Sequence, residues 1–334
     1  GGASNVFRPR SINEGMGRTW YSVFATGSAY GLMIPIGTEM TQMEHRFVPT
    51  RFKDGYGPVG MWFQYFGAKI TNSKGEDYTV TREAELHKYK PYGLVVPTPT
   101  PLRNHQMFLD IKDGLGPMYM GTDKAMQKIA GDDPEKMRKV KEEAWEDFLD
   151  MTISQALTWA SQDIRPELTP SEVVLAEPYI MGSHSGESGA WVSGPEDLAP
   201  PDYFWGYNKM TTIKGLFAAG DGVGAAPHKF SSGSFTEGRL AAKAAVNFLN
   251  DNPEDSTLND GQVTSLRDKI WAPLERFEKY KGASTAEEVN PHYLTPYQAL
   301  VRLQKIMDEY AGGTSAWYTT NKPTLERGIQ LIEL

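Results

Sequence analysis

The chain has 334 residues, enough for two domains by the usual relation of length to domain count. Its composition, 40% hydrophobic and 23% charged, excludes a disordered or fibrous protein. The net charge of -8 argues against nucleic-acid binding, because that affinity comes mostly from Lys and Arg at phosphates. With no cysteine, the chain supplies no thiolate, so any iron–sulfur cluster must lie on a partner.

The first fifty residues predict a short helix followed by a strand. Trp20 and Val23 recur at helical spacing before a glycine turn. Arg18 and Thr26 flank this stretch, and a structural role and a cofactor-lining role are equally open for both. Residues 40–50 alternate like a strand, on which His45 is interpreted as a hydrogen-bonded structural residue.

A loop rich in glycine and aromatic residues follows, and we expect it to enter a strand at Met61. Trp62 is a candidate wall of a substrate pocket, with core packing as the alternative. Residues 91–101 have lost too many N–H donors to proline for a helix or central strand and predict an extended connector.

Arg103 stands in a short polar cluster where this connector enters a helical pattern. A guanidinium offers two donors in one plane, which suits a sulfate or phosphate group. The alternative is an arginine at a helix start that pairs with Asp110 or with solvent. Arg103 is therefore a candidate anion-binding residue.

Helices are predicted over much of the remaining chain. Asp133 and Pro134 form a cap and a first-turn proline, and the apolar spacing predicts the longest helix of the chain, to about Gln162. His184, between small residues, is open to a ligand contact or a structural role. Three later helices are expected, at 265–281, 295–310 and 325–334.

The most informative stretch combines a strand, a turn and a helix. Leu216 to Ala219 reads as a buried strand that ends at Gly220 and Asp221 and so delivers a carboxylate to a sheet edge. A serine-rich turn, 231–234, precedes a helix that we expect to be capped by Ser234 or Thr236, with Glu237 in its first turn. The free N–H groups of that helix favour an anionic or electron-rich ligand, although such a unit also occurs as plain packing.

The residues of this stretch resemble the second FAD-binding segment of the fumarate reductase and succinate dehydrogenase flavoprotein superfamily. Residues 227–239 resemble, more specifically, the alpha subunits of dissimilatory adenylylsulfate (APS) reductases, as do the loop 51–60 and the sequence around Arg103. Val48-Pro49-Thr50 stands where fumarate reductases have His-Pro-Thr, which argues against a dicarboxylate substrate. The resemblance covers nearly all of the chain.

The resemblance implies an α/β (α+β mixed) fold. It divides the chain into the end of an FAD-binding Rossmann-like domain (1–45), an inserted capping domain (46–200), a return to the FAD-binding domain (201–252) and a truncated helical C-terminal domain (253–334). No Gly-x-Gly-x-x-Gly fingerprint occurs, and the opening Gly1-Gly2-Ala3 resembles the end of a strand in the superfamily. We therefore expect a fragment.

The implied activity is the reduction of adenosine 5'-phosphosulfate to sulfite and AMP at FAD, or the reverse. Arg103 and His228 are the expected catalytic and substrate-binding residues, with Trp62 at the substrate. The residues expected to bind FAD are Gly2, Gly220, Asp221, Ser231, Ser232, Gly233, Ser234, Phe235 and Glu237.

The resemblance also implies electron supply from a ferredoxin-like iron–sulfur beta subunit in a heterodimer. No metal site is expected on this chain. No run of about eighteen apolar residues suggests a membrane span, and we expect a cytoplasmic enzyme. The alternatives are another FAD enzyme, of the fumarate reductase, succinate dehydrogenase or aspartate oxidase type, and an inactive fragment.

Overall fold

The structure is a computed structural model, and it describes residues 6–7, 25–178, 188–224, 230–254 and 257–333. The predictions for Gly2, Arg18, His184 and His228 lie outside these residues.

Most of the described chain is helical. The helices are α1 (Ser28–Met33), α2 (Gly60–Gln64), α3 (Tyr78–Thr81), α4 (Glu83–Leu86), α5 (Thr100–Lys112), α6 (Thr122–Ala130), α7 (Pro134–Met151), α8 (Ile153–Ser161), α9 (Phe230–Asp251), α10 (Asp260–Tyr280), α11 (Pro296–Tyr310) and α12 (Lys322–Glu333). The strands are β1 (Met40–Thr41), β2 (Thr50–Phe52), β3 (Ile70–Thr71), β4 (Met118–Met120), β5 (Ser171–Leu175) and β6 (Gly189–Ala190).

The strands form two antiparallel sheets. The larger has the order β2-β5-β4-β3, and its central register places Val173 opposite both Phe52 and Met118. Residues of β5 are alternately buried and half-buried, as expected for a strand with one face on a core. The smaller sheet pairs β1 with β6, so it joins two segments that are far apart in sequence.

An aromatic core covers one face of the larger sheet. Phe52 on β2 meets Phe148 of α7 and Trp159 of α8 edge to face, with ring centroids 5.5 and 5.6 Å apart. Edge-to-face contacts of this kind add to the stabilisation that burial provides. A smaller apolar cluster lies elsewhere, around Tyr30 of α1, Ala190 of β6 and Val223.

Several predicted elements are confirmed. The Asp133 side chain accepts the N–H groups of Glu135 and Lys136 and begins α7. Thr295 and Gln298 form a reciprocal capping box at the start of α11. Helix α5 contains Arg103 as expected, and the connector before it is irregular apart from one turn at Tyr92–Leu94.

Two predictions in the first half of the chain are wrong. The strand expected at Met61 is helix α2, because Trp62 and Phe66, four residues apart, stack with ring centroids at 4.4 Å on one side of the chain. The single helix expected from Pro134 to Gln162 breaks at Thr152. The break places the side-chain amide oxygen of Gln155, Oε1, where it accepts the Gly57 N–H at 3.0 Å.

Two further corrections concern the strand–turn–helix stretch. Residues 216–219 do not form a regular strand, because within the described chain only an isolated bridge, between Phe217 and Met210, pairs them. Helix α9 begins at Phe230, earlier than expected, so the serine-rich residues 231–234 lie inside it and Glu237 lies two turns in. Within α9, Ser234 packs against the turn at Gly220.

Candidate flavin and anion site

A tight turn of 3-10 geometry, Gly220–Gly222, carries Asp221. Gly220 has φ +60°, a left-handed conformation that glycine adopts without strain. The hydroxyl of Tyr30 lies 3.0 Å from the backbone oxygen of Asp221 and 3.3 Å from that of Ser188, so α1 fixes the turn from outside. The structure thus places Asp221 on a rigid turn.

The first turns of α9 pack against this turn. A Cβ on Gly220 would lie 3.4 Å from the Ser234 hydroxyl oxygen, so these two predicted residues are neighbours. Ser231 and Ser232 are exposed, Gly233 is buried, and the Phe235 ring is 80% exposed. The structure therefore brings the predicted acid and the predicted serine-rich helix start to the same place.

Glu237 occupies a different position from the other predicted cofactor residues. It is buried, its Oε2 accepts the backbone N–H of Gly220 at 2.8 Å, and its Oε1 lies 3.4 Å from the Lys209 ammonium. Both carboxylate oxygens are therefore in use behind the turn. Sequence reasoning missed Lys209, because nothing in its local sequence distinguishes it from a surface lysine.

The residues present fit the electron-rich edge of a flavin. The dipole of the 22-residue helix α9 places partial positive charge at the end that adjoins the turn. The glycine turn beside this end lets the backbone approach a ring closely. The residues that would contact the flavin in this arrangement are Asp221 and residues 231–234.

Arg103 lies on the face of α5 that packs toward α2 and α3. Its guanidinium carbon stands 3.9 Å above the Phe63 ring centroid, and one terminal nitrogen lies 3.5 Å from the Thr100 hydroxyl. Its Nε is buried and has no hydrogen-bond partner among the described residues. Partial burial lowers the pKa of Arg103 below its ordinary value, although arginine stays charged.

No acidic side chain within the described chain forms an ion pair with Arg103. Asp110, the partner weighed from the sequence, instead pairs with Arg82 at 2.7 Å. A buried charge is costly unless it is paired. An unpaired, half-buried guanidinium held on an aromatic ring is consequently suited to an anionic ligand.

The neighbours of Arg103 form a polar framework. The Asn104 amide donates to the Val48 carbonyl at 2.8 Å and accepts from the Thr50 hydroxyl at 2.9 Å, so α5 is tied to the segment in the His-Pro-Thr position. Tyr78 is fully buried, and burial raises the pKa of its phenol, which therefore stays neutral.

Trp62, the predicted substrate wall, lies inside the aromatic core. Its ring is 1% exposed and packs on Phe52, Phe66 and Trp159. In this arrangement the ring offers no surface to a ligand. Core packing, the alternative role considered for Trp62 in the sequence analysis, accounts fully for its position.

Two features that the described residues lack bear on the class of site. No cluster of His, Asp and Glu there is suited to hold a metal ion. None of the helices in these residues is both long and apolar enough to cross a lipid bilayer.

Comparison with known structures shows which class of fold the chain has. The chain matches E. coli quinol fumarate reductase with a TM-score of 0.57 at 16% identity, over 99% of this chain and 49% of that one. A second quinol-fumarate reductase matches with a TM-score of 0.53 at 17% identity, over 93% of this chain and 47% of that one. The chain therefore has the flavoprotein fold of fumarate reductases, as the sequence predicted.

The particular relatives are adenylylsulfate reductases. The structure of the enzyme from the hyperthermophilic Archaeoglobus fulgidus matches with a TM-score of 0.94 at 58% identity, over 99% of this chain and 52% of that one. A structure of adenosine-5-phosphosulfate reductase in complex with sulfite, as a covalent adduct, matches with the same values. The alpha subunit from Megalodesulfovibrio gigas is 47% identical over 344 residues, which cover all of this chain and 52% of that subunit.

The chain is thus a homologue of adenylylsulfate reductase alpha subunits over its whole length, as the sequence predicted. It spans about half the length of the relatives it matches. No protein-family model matches it.

Proposed function

We propose that this chain is the part of an adenylylsulfate reductase alpha subunit that binds FAD and the sulfonyl group of adenosine 5'-phosphosulfate, for reduction to sulfite and AMP. The observation that carries the proposal is Arg103, a half-buried cation without an acidic partner in the described chain. The homology to adenylylsulfate reductases supports the choice of substrate.

Reduced FAD, when bound, would supply the two electrons that take sulfur from the sulfate to the sulfite level while the bond between sulfur and the phosphate oxygen breaks, and it would be left oxidised. Arg103 neutralises the sulfonyl oxygens, whose negative charge grows as electrons arrive. Its stacking on Phe63 limits the motion of the guanidinium, so little reorganisation is needed.

The other predicted residues take supporting roles in this proposal. Asp221 and the start of α9 bind the cofactor, and Glu237 holds the turn in place from behind. His228, which lies outside the described residues, is the proposed donor to the leaving phosphate. The reverse direction, from sulfite and AMP, uses the same groups.

The proposal extends to location and partner. The chain supplies no cysteine ligand for an iron–sulfur cluster, and the proposed electron donor is a ferredoxin-like iron–sulfur beta subunit in a cytoplasmic heterodimer. The test of a heterodimer is co-purification of the complete alpha subunit with a protein that contains iron and acid-labile sulfide.

The activity is tested with the complete alpha subunit and its partner, by measuring APS-dependent formation of sulfite and AMP from a reduced donor dye. Arg103→Ala should lower kcat/KM by at least about a hundredfold, the size seen when one charge-stabilising donor is removed. Arg138→Ala is the matched control, because that exposed arginine on α7 forms ion pairs, among the residues that the structure describes, with Glu135 and Glu142 alone. Unchanged kinetics for Arg103→Ala, or turnover of fumarate in place of APS, would reject the proposal.

A further inference from the structure

A cleft of about 530 Å³ lies on the face of α5 opposite Arg103. On that helix, Asn104, His105, Phe108 and Lys112 line the cleft at the spacing of one helical face. The opposite wall is the Trp317–Thr319 segment, which follows α11, and the floor is the segment 44–48. The volume lies within the range of about 300–1,000 Å³ that is usual for small-molecule sites.

The aromatic wall of the cleft is held in a costly conformation. Trp317 and Tyr318 both have left-handed backbones, with φ of 51° and 57°, although neither is glycine. Strained backbone of this kind concentrates at ligand sites, where the surrounding structure maintains it. The conformation leaves the Trp317 ring 49% exposed and brings it within 6.3 Å of the Phe108 ring.

Arg46 maintains this strained segment. Its guanidinium donates to the backbone oxygens of Ala311, Gly312 and Tyr318, at 2.8, 2.5 and 3.0 Å. The Tyr318 hydroxyl also donates to the Ala176 carbonyl at 3.2 Å. The wall is therefore fixed by contacts from two distant parts of the chain.

The polar groups of the cleft favour an anion. Lys112 stands at the end of α5 with its ammonium 5.9 Å from the Phe108 ring centroid, and no carboxylate pairs with it among the described residues. The acidic residue of the lining, Glu44, lies 3.9 Å from His45 and is highly exposed. A flat exposed indole and a lysine together suit a ligand that combines an aromatic ring with a phosphate.

We propose that this cleft binds a nucleoside monophosphate, with the base on Trp317 and the phosphate at Lys112. The site is distinct from the anion site at Arg103, because α5 separates the two. It does not depend on the proposed catalytic function.

The test is equilibrium dialysis of radiolabelled AMP against the 334-residue chain. Trp317→Ala and Lys112→Glu should each weaken binding by about tenfold or more, the size of effect found when one stacking aromatic is removed. Trp271→Ala, a similarly exposed tryptophan on α10, and Lys128→Glu, an exposed lysine on α6, are matched controls and should bind AMP normally.

Arg103→Ala separates the two proposals. Under this inference the AMP site that Trp317→Ala and Lys112→Glu weaken remains in Arg103→Ala, whereas turnover of the complete enzyme is impaired. Absence of saturable AMP binding, or binding that is lost in Arg103→Ala but retained in both cleft variants, overturns the inference. Far-UV circular dichroism confirms folding, and Lys112→Glu, at an exposed helix end, provides the decisive variant if Trp317→Ala is unstable.

Discussion

The buried carboxylate of Glu237 accepts the backbone N–H of Gly220 across 2.8 Å. One residue therefore joins α9 to the turn that carries Asp221, and these are the two elements proposed to hold the flavin. The other carboxylate oxygen lies 3.4 Å from the ammonium of Lys209. Glu237 is thus placed to position the site.

Glu237→Ala should destabilise the chain strongly. The substitution removes the carboxylate that accepts the Gly220 N–H and faces the largely buried Lys209 ammonium, and removing one partner of a buried ion pair costs about 3–5 kcal/mol. The free energy of unfolding in urea measures the loss. Glu237→Gln should lose less, because the side-chain amide oxygen still accepts the Gly220 N–H.

A double-mutant cycle with Lys209→Met tests whether the two charges act as a pair. Because Glu237→Gln combined with Lys209→Met leaves no isolated charge, the double variant should be more stable than the sum of the two single losses indicates. If the losses of the two single variants add up to the loss of the double variant, the ion pair contributes nothing to stability. The FAD content of these purified variants should rank in the same order as their free energies of unfolding.

Gly189→Ala should also destabilise the chain, because its Cβ would lie 2.5 Å from the Gly224 nitrogen at the junction of β6 with the turn region. Backbone cannot move aside as a side chain does, so we expect a loss of at least about 3 kcal/mol, at the upper end of overpacking effects. Gly37→Ala is the control for backbone strain alone: its φ is +84° and nothing lies within 4 Å of the added Cβ. A loss of about 1 kcal/mol is expected there, and equal losses at the two positions would contradict the steric account.

The sequence predicted those parts of the fold that depend on local chemistry. The Asp133 cap with Pro134 and the Thr295 capping box are decided within four residues, and both are present. The fold class and the likeness to adenylylsulfate reductases were predicted from the resemblance of segments such as 51–60 and 227–239, and the whole-chain comparisons agree with both.

What the sequence missed depends on contacts between distant segments. The break at Thr152 serves a hydrogen bond from Gly57 to Gln155, 98 positions apart, and no local pattern signals it. Glu237 has a side chain typical of a helix surface, yet tertiary packing buries it. The cleft at Lys112 was missed for the same reason, since its aromatic wall lies some 200 positions away in sequence.

Arg46→Met should release the aromatic wall of the cleft. The substitution removes a guanidinium that donates to three backbone oxygens, and hydrogen bonds from a charged donor contribute about 1.5–3 kcal/mol each. Because methionine keeps part of the packing, we expect a net loss of about 3 kcal/mol in the free energy of unfolding. Arg138→Met is the control, since its ion pairs on α7 are exposed and contribute little. A change at Arg46 no larger than at Arg138 would show that the segment after α11 holds its conformation unaided.

His105 should make the chain less stable in mild acid. Partial burial lowers the pKa of its imidazole below the ordinary 6.5; Lys88 adds to the effect and Glu85 opposes it. As the pH falls, the unfolded chain therefore protonates His105 before the folded chain does. The contribution of His105 to stability is fully present above pH 6.5 and falls as the pH drops from there toward the folded-state pKa.

His105→Gln retains a hydrogen-bonding group for the Tyr89 hydroxyl, 3.0 Å away in the native protein, but cannot titrate. Urea midpoints at pH 7.5 and pH 5 should differ less in this variant than in the native chain, and the exposed His292→Gln serves as control. Identical pH slopes for the native chain and His105→Gln would refute a neutral His105 at the cleft.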